Sequence, residues 1–190
     1  TSVRQFDPET GKETSRVALP EVYRKNVRTN RSLEGLAISP DGSRMYVANE
    51  DTLVCDGNLA DETAGGVVRI QEFAREGLKT PWQASRQWFY PTDPVEGDAY
   101  RGIAISGVAA LVAPGDGTLL VLEREMSLKN PLVPSFRGRL YEIDLGDVRD
   151  IARVRLNGMD LGVAWHFPFR VSADGALKDG ENVLEIEVTN

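Results

Sequence analysis

Short apolar segments broken by turn residues run through most of this chain, and several of them alternate with a period of two. Val67-Val68-Arg69-Ile70-Gln71-Glu72-Phe73 alternates as a half-buried strand does. Leu36-Ala37-Ile38 leads through Ser39-Pro40-Asp41-Gly42 into Met45-Tyr46-Val47-Ala48, which predicts a hairpin around a Pro-Asp-Gly turn. The pattern recurs where Val108 to Val112 passes through Pro114-Gly115-Asp116-Gly117 into Leu119-Leu120-Val121-Leu122. Val3 to Phe6, Gln87-Trp88-Phe89-Tyr90 and Arg139 to Leu145 are further candidate strands, and Asp7 to Lys12 reads as a turn. Helical periodicity is weak, and Glu21 to Val27 predicts a turn or two at most.

The last stretch differs in texture. Ala152 to Leu156 and Leu161 to Trp165 flank Asn157-Gly158, a strong two-residue hairpin signal. Val183 to Val188 alternates Leu184, Ile186 and Val188 with Glu185 and Glu187. A strand of that kind needs neighbours to cover its edges, so self-association through uncovered edges is expected.

Composition narrows the function classes. The 190 residues carry 41% hydrophobic and 27% charged side chains, as globular domains do, and a net charge of −7. An excess of acidic over basic residues disfavours nucleic acid as a partner. No apolar run is long enough to suggest a membrane span. Cys55 is the single cysteine, so no intrachain disulfide can form. Thr1 to Phe6 lacks the apolar core of a leader, and a secreted parent with its leader removed would begin in the same way.

Residues 1 to about 145 resemble the phytase-like family known for esterase-like activity, a β-propeller family. The resemblance is carried by Asn30 to Gly42, by the acidic loop Asn49 to Gly57, and by Val68 to Phe73 and Phe89-Tyr90-Pro91. Its most recognisable stretch is Leu119 to Arg124 followed by Arg139 to Leu145. Where the family often has an acidic residue before the apolar stretch at Leu111, this chain has Ala109-Ala110.

The resemblance implies a phosphoester or ester hydrolase acting on a small phosphorylated or ester substrate, in a secreted or periplasmic setting. Glu34, Glu123 and Arg124 are the candidate catalytic residues, and Arg69, Arg139 and Tyr90 the candidate substrate-binding residues. Converging carboxylates repel one another unless a proton or cation intervenes. Oxygen ligands favour a hard cation, so Glu34, Glu50 and Glu123 are candidate ligands for Ca²⁺. Glu123-Arg124 reads equally as a surface ion pair, and Glu34 as a carboxylate bonded to a neighbouring backbone N–H. Arg24, Lys25, Arg28 and Arg31 read as a solvated loop, or as an anion-collecting rim beside Glu34. A Ser-His-Asp triad is not available in this part, because the only histidine is His166.

Residues 146 to 190 resemble the galactose-binding-like β-sandwich of family-2-like and rhamnosidase-type glycoside hydrolases. Asp144 to Gly158, Leu161 to Trp165, Pro168 to Val171 and Gly180 to Asn190 carry this resemblance. It implies a carbohydrate-binding or accessory role. Trp165, His166 and Phe167 could stack on a sugar or pack in the sandwich core. Asp144-Leu145-Gly146 satisfies both patterns, as in a chimeric chain. The expected architecture is all-β, a partial β-propeller followed by a partial jelly-roll or β-sandwich segment. Its two functional readings are a hydrolase domain and a non-catalytic fragment of a glycoside hydrolase.

Overall fold

The computed structural model describes residues 2–97, 103–130, 132–145, 151–164, 171–173, 175–178 and 180–189. The chain is all-β, as the alternation predicts, and divides into two compact units, Thr1–Leu145 and Gly146–Asn190. Among the described residues no helix is long and apolar enough to cross a membrane.

The first unit opens with an antiparallel hairpin of β1 (Val3–Phe6) and β2 (Glu13–Val17). Its turn is held by the Asp7 carboxylate, which accepts the N–H groups of Glu9 at 2.9 Å and Thr10 at 2.8 Å. A short helix, α1 (Glu21–Asn26), buries Tyr23. A four-stranded antiparallel meander follows, made of β3 (Leu33–Ile38), β4 (Arg44–Asn49), β5 (Val67–Ala74) and β6 (Gln83–Pro91). A three-stranded meander follows that, made of β7 (Ala104–Val112), β8 (Thr118–Asn130) and β9 (Val133–Asp144). Both sheets are open.

Alternation decides where the core lies. Tyr46, Ala48, Val68 and Ile70 of the first sheet pack against Val108, Leu111, Leu119 and Val121 of the second. Gly35 allows this approach, since a Cβ there would lie 2.8 Å from Leu111 Cγ. Met45, Val47 and Phe73, on the other face of the first sheet, are covered by Val17 and Leu19. That double cover explains why β4 and most of β5 are buried on both faces. Each such Val, Leu, Ile or Phe contributes roughly 1.5–3 kcal/mol by leaving water.

The second unit is a three-stranded antiparallel sheet ordered β11-β10-β12, from β10 (Ile151–Leu156), β11 (Met159–Ala164) and β12 (Leu184–Thr189). Asn157 and Gly158, at φ 54° and 80°, form the predicted two-residue turn. The Asn157 side chain donates to Ala176 O and accepts from Val183 N at 3.0 Å, tying the later segment to the turn. Register places Val154 opposite Ile186 and Leu156 opposite Leu184 on one face, with Arg153, Arg155, Glu185 and Glu187 on the other.

Candidate active site

Among the described residues the one helix is short and the sheets are tightly paired, so the site is sought at strand ends and the segments beside them. One open cleft of about 260 Å³ in the first unit is lined by Asn30, Arg31, Glu34, Glu50, Ile105, Arg124, Met126 and Phe136. Three features of the chain build it. Asn30 takes a left-handed conformation, φ 59°, and turns the chain into Arg31 just before β3. Arg28 pins that turn by donating to the carbonyls of Thr52 at 2.9 Å and Gly57 at 2.6 Å. Glu50, just beyond β4, is locked by its backbone, with its N–H on Ser32 O at 2.7 Å and its carbonyl accepting from Val108 N at 2.8 Å.

Gly107 makes the last contact possible. A Cβ at that position would fall well inside contact distance of the Glu50 carbonyl oxygen and 3.0 Å from its carbon. The glycine therefore fixes how deeply Glu50 seats against the second sheet.

The electrostatics centre on Glu50. Its carboxylate lies 3.1 Å from Arg31 and 3.7 Å from Arg124, and Arg124 also reaches Glu34 at 3.4 Å. Burial pushes the Glu50 carboxyl above its ordinary range; Arg31 and Arg124 oppose this and Glu34 adds to it, with burial prevailing. Asp51 beside it is also raised, by burial first, despite the N–H of Thr52 at 2.7 Å and the nearby Arg31.

The structure brings together Glu34, Glu50 and Arg124 of the expected set and places Glu123 elsewhere. Successive residues of a strand point to opposite faces, so Glu123 turns inward while Arg124 faces the cleft. Glu123 is buried and accepts from Tyr90 Oη at 2.6 Å and Asp93 N at 3.2 Å. Tyr90 is thus committed to Glu123 and lies outside the cleft. Arg139 is engaged on the Glu123 side, 3.1 Å from Glu125 and 3.0 Å from Glu96. Arg69 is spent on a fork to Asp56, two contacts of 2.6 Å, and stacks over the Phe89 ring at 4.5 Å. These three offer no open donor set to a ligand in the cleft.

Of the basic stretch, Arg31 reaches the cleft, Arg28 is bound to backbone carbonyls, and Lys25 pairs with Glu21 at 2.7 Å. Trp165, His166 and Phe167 lie outside the described residues. The cleft-lining Ile105, Met126 and Phe136 are not among the expected site residues. Alternation from Arg124 through Met126, with the pairing of Met126 to Phe136, is the signal that would have found them.

The residues expected to hold Ca²⁺ do not fit that ion here. Glu34 and Glu50 are bridged by the Arg124 guanidinium, Glu50 is also paired with Arg31, and Glu123 faces the other side of its sheet. A calcium shell gathers six to eight oxygens around one point. Here cationic side chains already stand where the carboxylates converge.

Comparison with known proteins now places the chain. The phytase-like family, described as having the esterase-like activity of phytase, matches residues 1–174. The chain belongs to this family. The match runs past Leu145 into the second compact unit. The family supports a hydrolase-type domain. A stretch of 49 residues is 51% identical to a putative beta-glucuronidase of Formosa agariphila, covering 26% of this chain and 4% of that protein. The chain thus spans a small fraction of the length of the curated relative it matches. No solved structure matches the chain.

Proposed function

We propose that the first unit is a hydrolase of anionic esters, with the Glu50 cleft as its active site. The observation that carries this reading is a buried carboxyl of raised pKa set between two guanidinium groups at an open cleft. Such a combination of desolvation and a charge partner marks candidate catalytic groups. Arg31 and Arg124 grip the anionic group, as guanidinium forks do with phosphates and carboxylates. Binding draws both guanidinium groups toward the ligand and sets a negative charge beside Glu50. Both changes raise the Glu50 pKa further.

Glu50 then acts as general acid and the more exposed Glu34 as general base. Water attacks the phosphorus or carbonyl carbon and gives its proton to Glu34. The ester P–O or C–O bond breaks, and the leaving oxygen takes the proton of Glu50. Proton exchange with solvent resets the pair. The test is hydrolysis of phenyl phosphate and of the phenyl monoester of succinate, both anionic and with a poor phenolate leaving group that needs an acid, by the full chain and by Glu50→Gln. The reading requires activity in the parent and its loss, by about 10²-fold or more, in the variant. Equal rates in both would overturn it.

The architecture we propose around this site is a partial propeller, with the two stacked meanders as successive blades, followed by a partial β-sandwich. A secreted or periplasmic location belongs to the same reading. The 49-residue match to a putative beta-glucuronidase favours a second role, carbohydrate binding by an accessory segment. Retardation of the chain in gels containing soluble polysaccharide tests it, and unchanged mobility with every polysaccharide would remove it.

A further inference from the structure

Two rows of side chains lie next to each other on the outer face of the second sheet. Gly107, Arg124 and Gly138 are partners across β7, β8 and β9, and Ile105, Met126 and Phe136 are partners in the next row on the same face. The glycines give Arg124 no cross-strand side chain on either flank, although Glu50 lies over Gly107, and the Arg124 side chain is 54% exposed. Two residues along a strand is about 7 Å between Cα atoms, so the apolar row is the next one along the sheet from Arg124. Ile105, Met126 and Phe136 line the same cleft as Arg31 and Arg124, and Phe136 is 68% exposed.

Charge sets a second limit. The lining has two guanidinium groups and two carboxylates, Glu34 and Glu50. One anionic group can be gripped by both arginines. Each further phosphate would face a carboxylate, and among the described residues the lining holds no third cation to receive it. The whole chain, at −7, adds to that repulsion.

We infer that this site takes an amphipathic ester with a single anionic group, whose aryl or bulky apolar part lies on the Met126–Phe136 row, and that it rejects highly phosphorylated polyanions. The inference rests on the reading of the cleft as the active site and adds its substrate class. An aromatic face left in water gains both burial and ring contact when such a group stacks on it.

The experiment is calorimetric titration of the full chain, and of Phe136→Ala, with phenylphosphonate, methylphosphonate and inositol hexakisphosphate. The parent should bind phenylphosphonate about tenfold more tightly than methylphosphonate, the worth of a partly buried ring. Phe136→Ala should erase that preference and leave methylphosphonate binding as it was. Inositol hexakisphosphate binding as tightly as phenylphosphonate would overturn the inference. So would a preference that survives Phe136→Ala, or no binding of either phosphonate. Hydrolysis of phenyl phosphate, measured separately, keeps the two ideas apart. Aryl preference without hydrolysis defeats the hydrolase reading alone, and Glu50-dependent hydrolysis without aryl preference defeats the substrate class alone.

Discussion

Glu123 and Arg124 are neighbours in β8 and serve opposite faces of one sheet. Glu123 accepts a 2.6 Å hydrogen bond from the buried Tyr90 hydroxyl, while Arg124 stands in the open cleft 3.4 Å from Glu34. A pair that reads in sequence as one ionic unit is therefore split between structure and chemistry.

Glu123→Gln separates these roles. Glutamine keeps the shape; its oxygen can accept from Asp93 N while its amide donates to the Tyr90 oxygen. Hydrolysis should change less than about threefold, whereas Arg124→Gln should raise KM by about tenfold or more through the lost charge-assisted contact. Steady-state kinetics on 4-nitrophenyl phosphate for both variants checks this. A large loss in Glu123→Gln alone would return Glu123 to the chemistry.

Much of the fold is legible in the sequence because turns and alternation are local. The Leu36–Val47 hairpin, the turn at Gly42 with φ 69°, the strand at Val67, and the Asn157-Gly158 turn all stand where their residues put them. The candidate site is less legible, because it depends on which face each residue takes after a bulge. The register shifts between Leu33 and Gly35 and between Val108 and Ala110 rotate Glu34 and the start of β7 relative to their partners. Nor does the sequence reveal that the Asp93–Gly97 segment folds back on β8, where Glu125 accepts the N–H groups of Glu96 at 3.1 Å and Gly97 at 2.8 Å.

Gly107 and Gly138 flank Arg124 but are predicted to respond differently to a methyl group. A Cβ at Gly107 collides with the Glu50 backbone, while one at Gly138 meets its nearest neighbour at 3.8 Å. Gly107→Ala should lower stability by about 1–3 kcal/mol, the usual cost of overpacking, and reduce activity by moving Glu50. Gly138→Ala should fold within about 1 kcal/mol of the parent. Urea denaturation of the two variants, read by tryptophan fluorescence, gives the comparison. Equal destabilisation would show that Glu50 is not seated by Gly107.

Calcium should have little effect on the parent chain. The Glu34 and Glu50 carboxylates are neutralised by Arg31 and Arg124. Removing both arginines, as in R31A/R124A, leaves two neighbouring carboxylates unpaired, and a divalent cation then relieves their repulsion. The melting temperature should shift by less than about 1 °C on adding calcium or chelator to the parent. It should rise by several degrees with calcium in the double variant, by ligand linkage. A calcium-dependent rise in the parent would instead point to a metal site within the native cleft.

Stability should depend on pH with two opposite signs. Burial raises the Glu123 carboxyl above its ordinary 4.5; the Tyr90 hydroxyl and Asp93 N–H offset this only in part. The folded state then holds that proton more tightly than the unfolded chain, so this contribution is largest at acid pH and declines as pH rises above about 4.5. Glu72 behaves in the opposite sense. Burial would raise it, but Arg86, Ser85 and Arg44 together bring it below 4.5. Its carboxylate takes bonds from Arg44 at 2.9 Å, Ser85 at 2.7 Å and Arg86 at 3.0 Å. That contribution is full above about 4.5 and is lost as pH falls through the depressed folded value. Glu72→Gln should therefore cost about 2–3 kcal/mol at neutral pH and much less near pH 3. Glu123→Gln should gain on the parent as pH rises from 4 to 7. Denaturant titrations of the parent and both variants across pH 3–8 test the signs. A Glu72→Gln deficit that stays constant across that range would mean that its arginine partners do not hold the carboxylate ionised.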